Sequence, residues 1–434
     1  MNPRTIIKKL IPSSLFRLIE PYGHLIEAVI FNIINGFPGR GIKVIGVTGT
    51  NGKTTTSFMI HRMLQQAGYH TGLMTTVAWG AGEDIKNQIH HYTNVPAPEM
   101  MQRLKYMKQQ KIDWLVLETT SQALAQHRVF GIKYSIAVLT NLTHEHLDYH
   151  RTFERYRNAK RRMFKLANKN KQGMQVGIIN ADDPSAQFFA SDVKHPVLYG
   201  IDKGDLRAFK IKLTPSGSTF TAKIDDKSYQ VTCAIPGSFN VFNSLATVAV
   251  GHVLGLSESQ VTQGIAALKY VEGRMNHIDE GQPFDVIVDY AHTPDSFEKL
   301  FKDIKPLVKN RLIVVFGSAG RRDEAKRPVQ GELAGIYADE VILTEEDDRD
   351  IDGQLILNEI AKGAEKAGKI RNKNLFLIAN RVEAINFAIQ RGKKGDVIML
   401  LGKGHEKTIE RANGENPWDE VAEAKKALKK SLKK

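Results

Sequence analysis

Residues 43–68 constrain this chain more than any other segment. KVIGV reads as a short buried strand, GTNGKTTT as a loop, and SFMIHRMLQQAG as a helix that stops at Gly68. A strand that passes through glycines straight into a helix gathers free backbone N–H groups and the positive end of the helix dipole at one place. That combination cradles phosphate. Gly49 and Gly52 let the backbone approach phosphate oxygens. Lys53 can neutralise the β- and γ-phosphates, and the Thr54 hydroxyl can reach magnesium, while Thr50, Asn51 and Thr55 complete the set. The spacing departs from GxxxxGK[ST], because Val47 stands at the place of the first glycine. The strand–loop–helix context carries the reading, and nucleotide binding follows from the residues alone.

Strand-like runs recur at WLVLE (114–118), SIAVLTNL (135–142) and VGIIN (176–180), with helical stretches between them. This alternation predicts an α/β fold with a mostly parallel sheet. Residues 206–233 instead alternate polar and apolar side chains around turn signals and read as antiparallel hairpins. A helical stretch follows, from about Asn240 to Leu268. Strand and helix then alternate again through FDVIVDYA, RLIVVFGS, EVILTEE, LFLIAN and DVIMLLGKG. The expected architecture is a helical segment over 1–42, a central P-loop domain over 43–270 with a small antiparallel β region, and a Rossmann-like domain over 271–434.

The balance of 61 basic against 47 acidic residues gives a charge of +14. Such a surface attracts nucleic acid, anionic membrane or phosphorylated substrates, and charge alone does not choose among them. Nucleic acid is disfavoured because the basic residues lack interleaved aromatic ones. One cysteine, Cys233, excludes an internal disulfide and a cysteine-based zinc cluster, which suits the cytoplasm. No apolar run reaches the roughly 18–20 residues that span a bilayer. Residues 6–37 come nearest, but Glu20, Pro21, His24 and Glu27 interrupt them and no cleavage site follows. Packing onto the next domain is the favoured role for these residues, with peripheral membrane contact the alternative.

Glu118 ends the strand WLVLE, where ligands of open parallel sheets gather. His144, Glu145, His146, Asp148 and His150 crowd the end of the next strand-like run. A carboxylate, an imidazole and phosphate oxygens together can hold a divalent metal beside a nucleotide. The local sequence is equally compatible with Glu118 capping a helix and the histidines lying on a surface loop.

The order of these motifs breaks that tie. Residues 117–164 (LETTSQALAQHRVFGIKYSIAVLTNLTHEHLDYHRTFERYRNAKRRMF), taken with GTNGKTTT, resemble the central domain of the Mur ligases, which add amino acids to peptidoglycan precursors. Within the family the closest likeness is to the branch that adds the third residue of the stem peptide. PGSFNVFNSLA (236–246), EGRMNHID (272–279), VDYAHTPDSFEK (288–299), FGSAGRRDEAKRP (316–328) and GKGHEKTIE (402–410) extend the likeness over 43–434.

The resemblance implies an ATP-dependent amide ligase that activates a carboxylate as an acyl phosphate, using two magnesium ions. By position it implies Glu118 and His146 as magnesium ligands and Lys160 as a carbamylated lysine that holds the second ion. The residues alone read Lys160 as lying on a helix surface. Asn243, Arg274 and Asp289 match positions that hold adenine, phosphate and ribose, and His292 and Lys326 match positions near the phosphates. For the incoming amino acid, Glu346-Asp347-Asp348-Arg349 stands where the family has a DNPR-type segment. Arg349, with Arg322 as a second candidate, would pair with a carboxylate. Gly402 and Glu406 match positions that accept a distal ammonium group. Arg349 with Glu406 favours meso-diaminopimelate, and the acidity from Glu345 to Asp350 favours lysine or another cationic amine; that stretch read plainly is a polar loop.

Several departures stand out. About 42 residues precede the first strand where the family carries a UDP-binding domain, Glu145 replaces the usual aspartate, and Thr119–Gln122 replaces Val-Ser-Ser-His. A folylpolyglutamate synthetase-like ligase and an inactive nucleotide-binding partner protein are the competing readings. The expected partners are small molecules, an anionic peptide acceptor and an amino acid, handled by a monomer whose two nucleotide-contacting domains close around ATP.

Overall fold

In the computed structural model, which describes residues 13–88, 93–143, 147–214 and 217–432, the chain divides into two compact units. One comprises Met1–Lys212, Thr219–Cys233 and Phe239–Leu268; the other comprises Leu213–Ser218, Ala234–Ser238 and Lys269–Lys434.

The first unit is built on an eleven-stranded sheet: β1 (Lys43–Thr48), β2 (Thr71–Met74), β3 (Ala78–Ala81), β4 (Asp84–Asn87), β5 (Trp114–Glu118), β6 (Tyr134–Leu139), β7 (Val176–Asn180), β8 (His195–Gly200), β9 (Leu206–Thr214), β10 (Gly217–Ile224) and β11 (Lys227–Cys233). Their order is β11-β10-β9-β8-β7-β6-β1-β5-β2-β3-β4. From β2 across to β9 the neighbours run parallel. Every residue of β5, β6 and β7 is buried, which explains their unbroken apolar runs: helices cover both faces of a parallel sheet. The alternating segment 206–233 does not stand apart, since β9 pairs in parallel with β8 through Tyr199–Leu206 and Gly200–Arg207.

The helices of this unit are α1 (Ser13–Ile34), α2 (Lys53–Gln66), α3 (Ala97–Gln109), α4 (Ser121–Ala125), α5 (Leu147–His150), α6 (Phe153–Lys169), α7 (Ala186–Ala190), α8 (Phe239–Val253) and α9 (Glu258–Ala267). The helical stretch expected from about Asn240 to Leu268 consists of two helices parted at Gly255, which adopts a left-handed φ of 71°. Ser257 and Gln260 then form a capping box that starts the second. In α6 the Thr152 side chain caps the N-terminus. Its buried residues are Tyr156, Ala159, Lys160, Met163, Phe164 and Ala167, the spacing of one helix face. Lys160 therefore sits in the middle of an apolar stripe. The surface position that its residue type suggests is not the observed one.

The α1 helix runs unbroken through Pro21. Its inner side packs Ala28 and Phe31 toward the core, and Asn32 Nδ2 donates to the Phe130 carbonyl at 3.2 Å and the Ala28 carbonyl at 2.8 Å. The segment thus rests on the first unit. No helix among the described residues is long and apolar enough to cross a membrane.

His61, on the buried side of α2, lies 3.3 Å through Nε2 from the Thr71 carbonyl. Burial pulls its pKa from 6.5 down to about 4. An unfolded chain takes up that proton at higher pH than the folded one. The stability His61 contributes is therefore complete above pH 6.5 and is lost as pH falls towards 4. His61→Gln is expected to flatten the stability curve across that window by about 2–3 kcal/mol. Denaturant titrations at closely spaced pH values check this, and parallel curves for both proteins would refute it.

The second unit carries a six-stranded sheet of β12 (Asn276–Ile278), β13 (Asp285–Asp289), β14 (Leu312–Phe316), β15 (Glu340–Leu343), β16 (Leu375–Leu377) and β17 (Val397–Leu401), in the order β12-β13-β17-β14-β15-β16. All pairs but β12–β13 are parallel. Helices α10 (Pro294–Ile304), α11 (Lys326–Tyr337), α12 (Gly353–Lys366), α13 (Arg381–Arg391) and α14 (Glu420–Leu432) accompany it, with a two-stranded ribbon of β18 (Thr408–Arg411) and β19 (Gly414–Pro417). This is the Rossmann-like pattern that the strand–helix alternation predicts.

Candidate active site

In the first unit β1 lies between β5 and β6, with Val47 opposite Glu118 and Thr48 opposite Leu139. The C-terminal ends of three neighbouring strands therefore deliver the phosphate loop, Glu118 and the segment after β6 to one place, where open parallel sheets bind ligands. The loop needs its glycines. Gly49 has φ 153° and Gly52 has φ 81°, and a Cβ on Gly49 would lie 1.9 Å from Thr140 Oγ1. A Cβ on Gly52 would lie 2.3 Å from Asn243 Oδ1.

Long-range hydrogen bonds hold the loop. Asn51 N donates to Asn141 Oδ1 at 3.0 Å, and Asn141 Nδ2 returns a bond to the Asn51 carbonyl at 3.0 Å. The Thr50 backbone N–H bonds the Asn141 carbonyl, and the Thr50 hydroxyl lies 3.0 Å from the Tyr156 hydroxyl. Thr56 Oγ1 donates to Asn243 Oδ1 at 3.1 Å, which ties α8 to the start of α2. Lys53 folds back so that Nζ donates to the Thr50 carbonyl at 2.7 Å, and Thr55 is buried behind it.

Two groups implied by family likeness stand against this loop. Glu118 is 1% exposed; its Oε2 accepts from Thr54 Oγ1 at 2.9 Å and from Thr76 N at 3.1 Å, and its Oε1 accepts from Thr76 Oγ1 at 3.1 Å. Lys160 is also 1% exposed, with Nζ donating to the Gly49 carbonyl at 2.6 Å and lying 4.7 Å from the centre of the Tyr156 ring. A hydroxyl, a carboxylate and the phosphate loop form a donor set that fits a divalent cation bound with a nucleotide. His144, Glu145 and His146 lie outside the described residues, as does the Asp148 side chain. His150 is buried, 3.0 Å through Nε2 from Ser121 Oγ. Among the described residues no group of three or more His, Cys, Asp or Glu side chains could hold a metal by itself. Thr76, Asn141 and Tyr156 escape sequence reading; only the asparagine, which follows a strand at the sheet's binding edge, carried a local signal.

The second unit holds its own polar cluster. Asp289, at the end of β13, accepts from the backbone N–H groups of Met275 and Ala291, both at 2.7 Å, and burial raises its pKa. Arg274 lies 4.7 Å over the Tyr290 ring. The His292 carbonyl accepts from Lys326 Nζ at 3.0 Å, and burial lowers the Lys326 pKa.

Deeper in, Lys403 is fully buried, with Nζ 2.8 Å from Asp347 Oδ1 and 2.6 Å from Glu406 Oε2; the Tyr290 hydroxyl adds a 3.3 Å bond to Glu406. Glu346 is buried beside them, and its Oε2 has no hydrogen-bond partner among the described residues. Burial raises its pKa against the pull of Lys326 and Lys403. Gly402, at φ 100°, leaves room for this carboxylate: a Cβ there would lie 2.7 Å from Glu346 Oε2. Asp348 is pushed up to about 6 by burial and the surrounding acids.

Glu346, Asp347, Gly402 and Glu406 are thus brought together around the buried Lys403 ammonium. Arg349 is not turned into this cluster: in a left-handed conformation, it pairs through Nε with Glu410 at 2.7 Å and reaches the Gly320 carbonyl. Arg322 is exposed.

Residues 47–251 match the Mur ligase middle domain, and residues 273–404 match the Mur ligase, glutamate ligase domain. The chain belongs to the Mur ligase family. Like other members it is an ATP-dependent ligase that forms peptide bonds, and the family works with ATP and magnesium. It is similar to a UDP-N-acetylmuramyl-tripeptide synthetase of Roseiflexus sp. (strain RS-1), at 41% identity over 91% of this chain and 80% of that protein. A UDP-N-acetylmuramoyl-L-alanyl-D-glutamate--2,6-diaminopimelate ligase of Bacillus licheniformis is 38% identical over 92% of this chain and 81% of its own length. A solved structure carrying that ligase name superposes with a TM-score of 0.64 at 30% identity, over 90% of this chain and 79% of the other.

Proposed function

We propose that this Mur ligase joins a diamino acid, meso-diaminopimelate or lysine, to the terminal carboxylate of a UDP-muramoyl-dipeptide-like acceptor. The observation that carries this reading is the arrangement at the phosphate loop: Thr54 bonded to Glu118, with buried Lys160 on the Gly49 carbonyl. The names of the similar proteins support the acceptor and the amine.

A carboxylate resists amine attack, so it needs a leaving group. A carboxylate oxygen of the acceptor bonds to the γ-phosphorus while the bond to the β-phosphate oxygen breaks, giving an acyl phosphate and ADP. The neutral amine then attacks the acyl carbon, inorganic phosphate departs with the C–O electron pair, and the amine gives up a proton. Magnesium, when bound, spreads the charge of the transferred phosphoryl group. The chain's own part is placement. Backbone N–H groups at Gly49–Thr54 and the α2 N-terminus hold phosphate, Lys53 swings from the Thr50 carbonyl to the nucleotide, and Glu118, Thr54, His146 and carbamylated Lys160 are assigned to the cations. Asn243, Arg274, Asp289, His292 and Lys326 are assigned to the nucleotide.

For the amine, the unpartnered Glu346 oxygen and the acids around Lys403 suit a distal ammonium group. Because Glu410 occupies Arg349, a second carboxylate on the amine has to displace it or use Arg322. The test is phosphate release and amide formation over a matrix of acceptors and amines. UDP-muramoyl-L-alanyl-D-glutamate with meso-diaminopimelate is expected to give the highest turnover, with lysine next. Turnover with folate and glutamate alone, or with no acceptor, would overturn the proposal.

A further inference from the structure

The outer face of α1 is a continuous apolar stripe. Ile19, Tyr22, Ile26, Ile30, Ile33 and Ile34 are each 47–70% exposed. At about 100° per residue they fall within roughly 120° of the helix circumference, and no charged side chain lies among them. Single exposed hydrophobic residues are ordinary, but an unbroken row of five isoleucines and a tyrosine is not. The opposite side is already committed to the first unit through Ala28, Phe31 and Asn32, so the helix is pinned with its apolar side outward.

We infer that α1 docks this enzyme, lying in the plane, on an anionic lipid surface. Charge chooses this occupant. Residues 1–43 contain six basic side chains (Arg4, Lys8, Lys9, Arg17, Arg40 and Lys43) against two acidic ones (Glu20 and Glu27), within a chain of charge +14. A second copy would bring two such positive segments together, whereas anionic headgroups complement them. Both acids are drawn off the stripe toward His24, at 4.0 Å from Glu20 and 3.7 Å from Glu27. Exposed Arg40 and Lys43 follow the helix, and Gly39 packs against the Gly131 carbonyl, which places exposed Lys133 at the same end. Tyr22, at the edge of the stripe, offers an apolar ring with a polar tip, the side chain suited to a headgroup boundary. The helix is not apolar enough to span, so an in-plane seat is the geometry left to it.

The test is flotation of the full chain with vesicles of phosphatidylcholine alone and of phosphatidylcholine with phosphatidylglycerol. The expected result is at least about tenfold stronger association with the anionic vesicles, weakened by salt, and a further loss of about tenfold in Ile26→Glu/Ile30→Glu. ATP-dependent phosphate release and the far-ultraviolet circular dichroism of that variant should match the parent. Tyr22→Trp gives a second readout free of added charge: its emission should shift to the blue on anionic vesicles only. Equal binding to both vesicles, unchanged binding of the glutamate variant, or an unshifted tryptophan overturns the inference. So does a dimer in sedimentation that the glutamate variant splits while vesicles recruit neither protein, because a second copy then covers the stripe.

Discussion

Lys160→Ala is expected to lower ATP-dependent amide formation at least about 10²–10³-fold while nucleotide binding stays within a few-fold. The reason lies in where the amine is. Lys160 is on the apolar face of α6, sealed from water, with its nitrogen on the Gly49 carbonyl at the mouth of the phosphate loop. A protonated amine adds a positive charge there, one carbonyl along the loop from the one that holds Lys53. Addition of carbon dioxide to the neutral amine forms an N–C bond, releases a proton and leaves a carboxylate, which suits a cation beside the γ-phosphate. Alanine removes both possibilities without touching Lys53, Thr54 or Glu118. The carbamate itself is separable from a purely structural role. Activity should fall in buffer depleted of carbon dioxide and return when bicarbonate is added, and the alanine variant should ignore both changes. Near-normal turnover of the variant would remove Lys160 from the mechanism.

The second large effect concerns stability. Arg381 and Glu420 are both fully buried in the second unit and paired, with Arg381 Nη2 2.7 Å and Nε 2.9 Å from the carboxylate oxygens. Arg381 also donates to the carbonyls of Leu401 and Glu345, while Trp418 Nε1 donates to Glu420 at 2.8 Å. Removing one member leaves the other charge buried without its partner, so Glu420→Ala should destabilise this unit by about 3–5 kcal/mol. The transition assigned to it should drop by about 10 °C in a thermal scan. An apolar replacement of both, Arg381→Met with Glu420→Leu, should recover most of the loss. That recovery distinguishes an orphaned charge from a simple loss of volume. A single-variant shift below about 0.5 kcal/mol would show that water reaches the guanidinium after all.

Much of the site was written locally. The phosphate loop is legible because a strand, two glycines, a lysine and a threonine form a contiguous local unit, although Asn141 and Tyr156, far along the chain, hold its conformation. Glu118 is legible as a strand end. Lys160 was misplaced by residue type alone, yet its spacing from Tyr156 and Phe164, four residues to either side, marks the buried face of α6. Periodicity held that information, and the ordinary preference of lysine for water concealed it. Arg349 shows the reverse case. Its motif position suggested a free guanidinium, and only the fold reveals Glu410, sixty-one residues further on, as its partner.

The amino-acid sequence determined the α/β class, the two strand–helix series, the glycine-bearing strand–loop–helix turn and the family. Each is carried by short-range periodicity or by contiguous residue types. The tertiary structure decided which side chains meet: Thr56 with Asn243, Thr54 with Glu118, Lys160 with Gly49, and an α1 stripe left facing outward. Such pairings span tens to hundreds of residues, and they are set by strand order and helix packing, where a side chain's neighbours are fixed by the burial of everything around it.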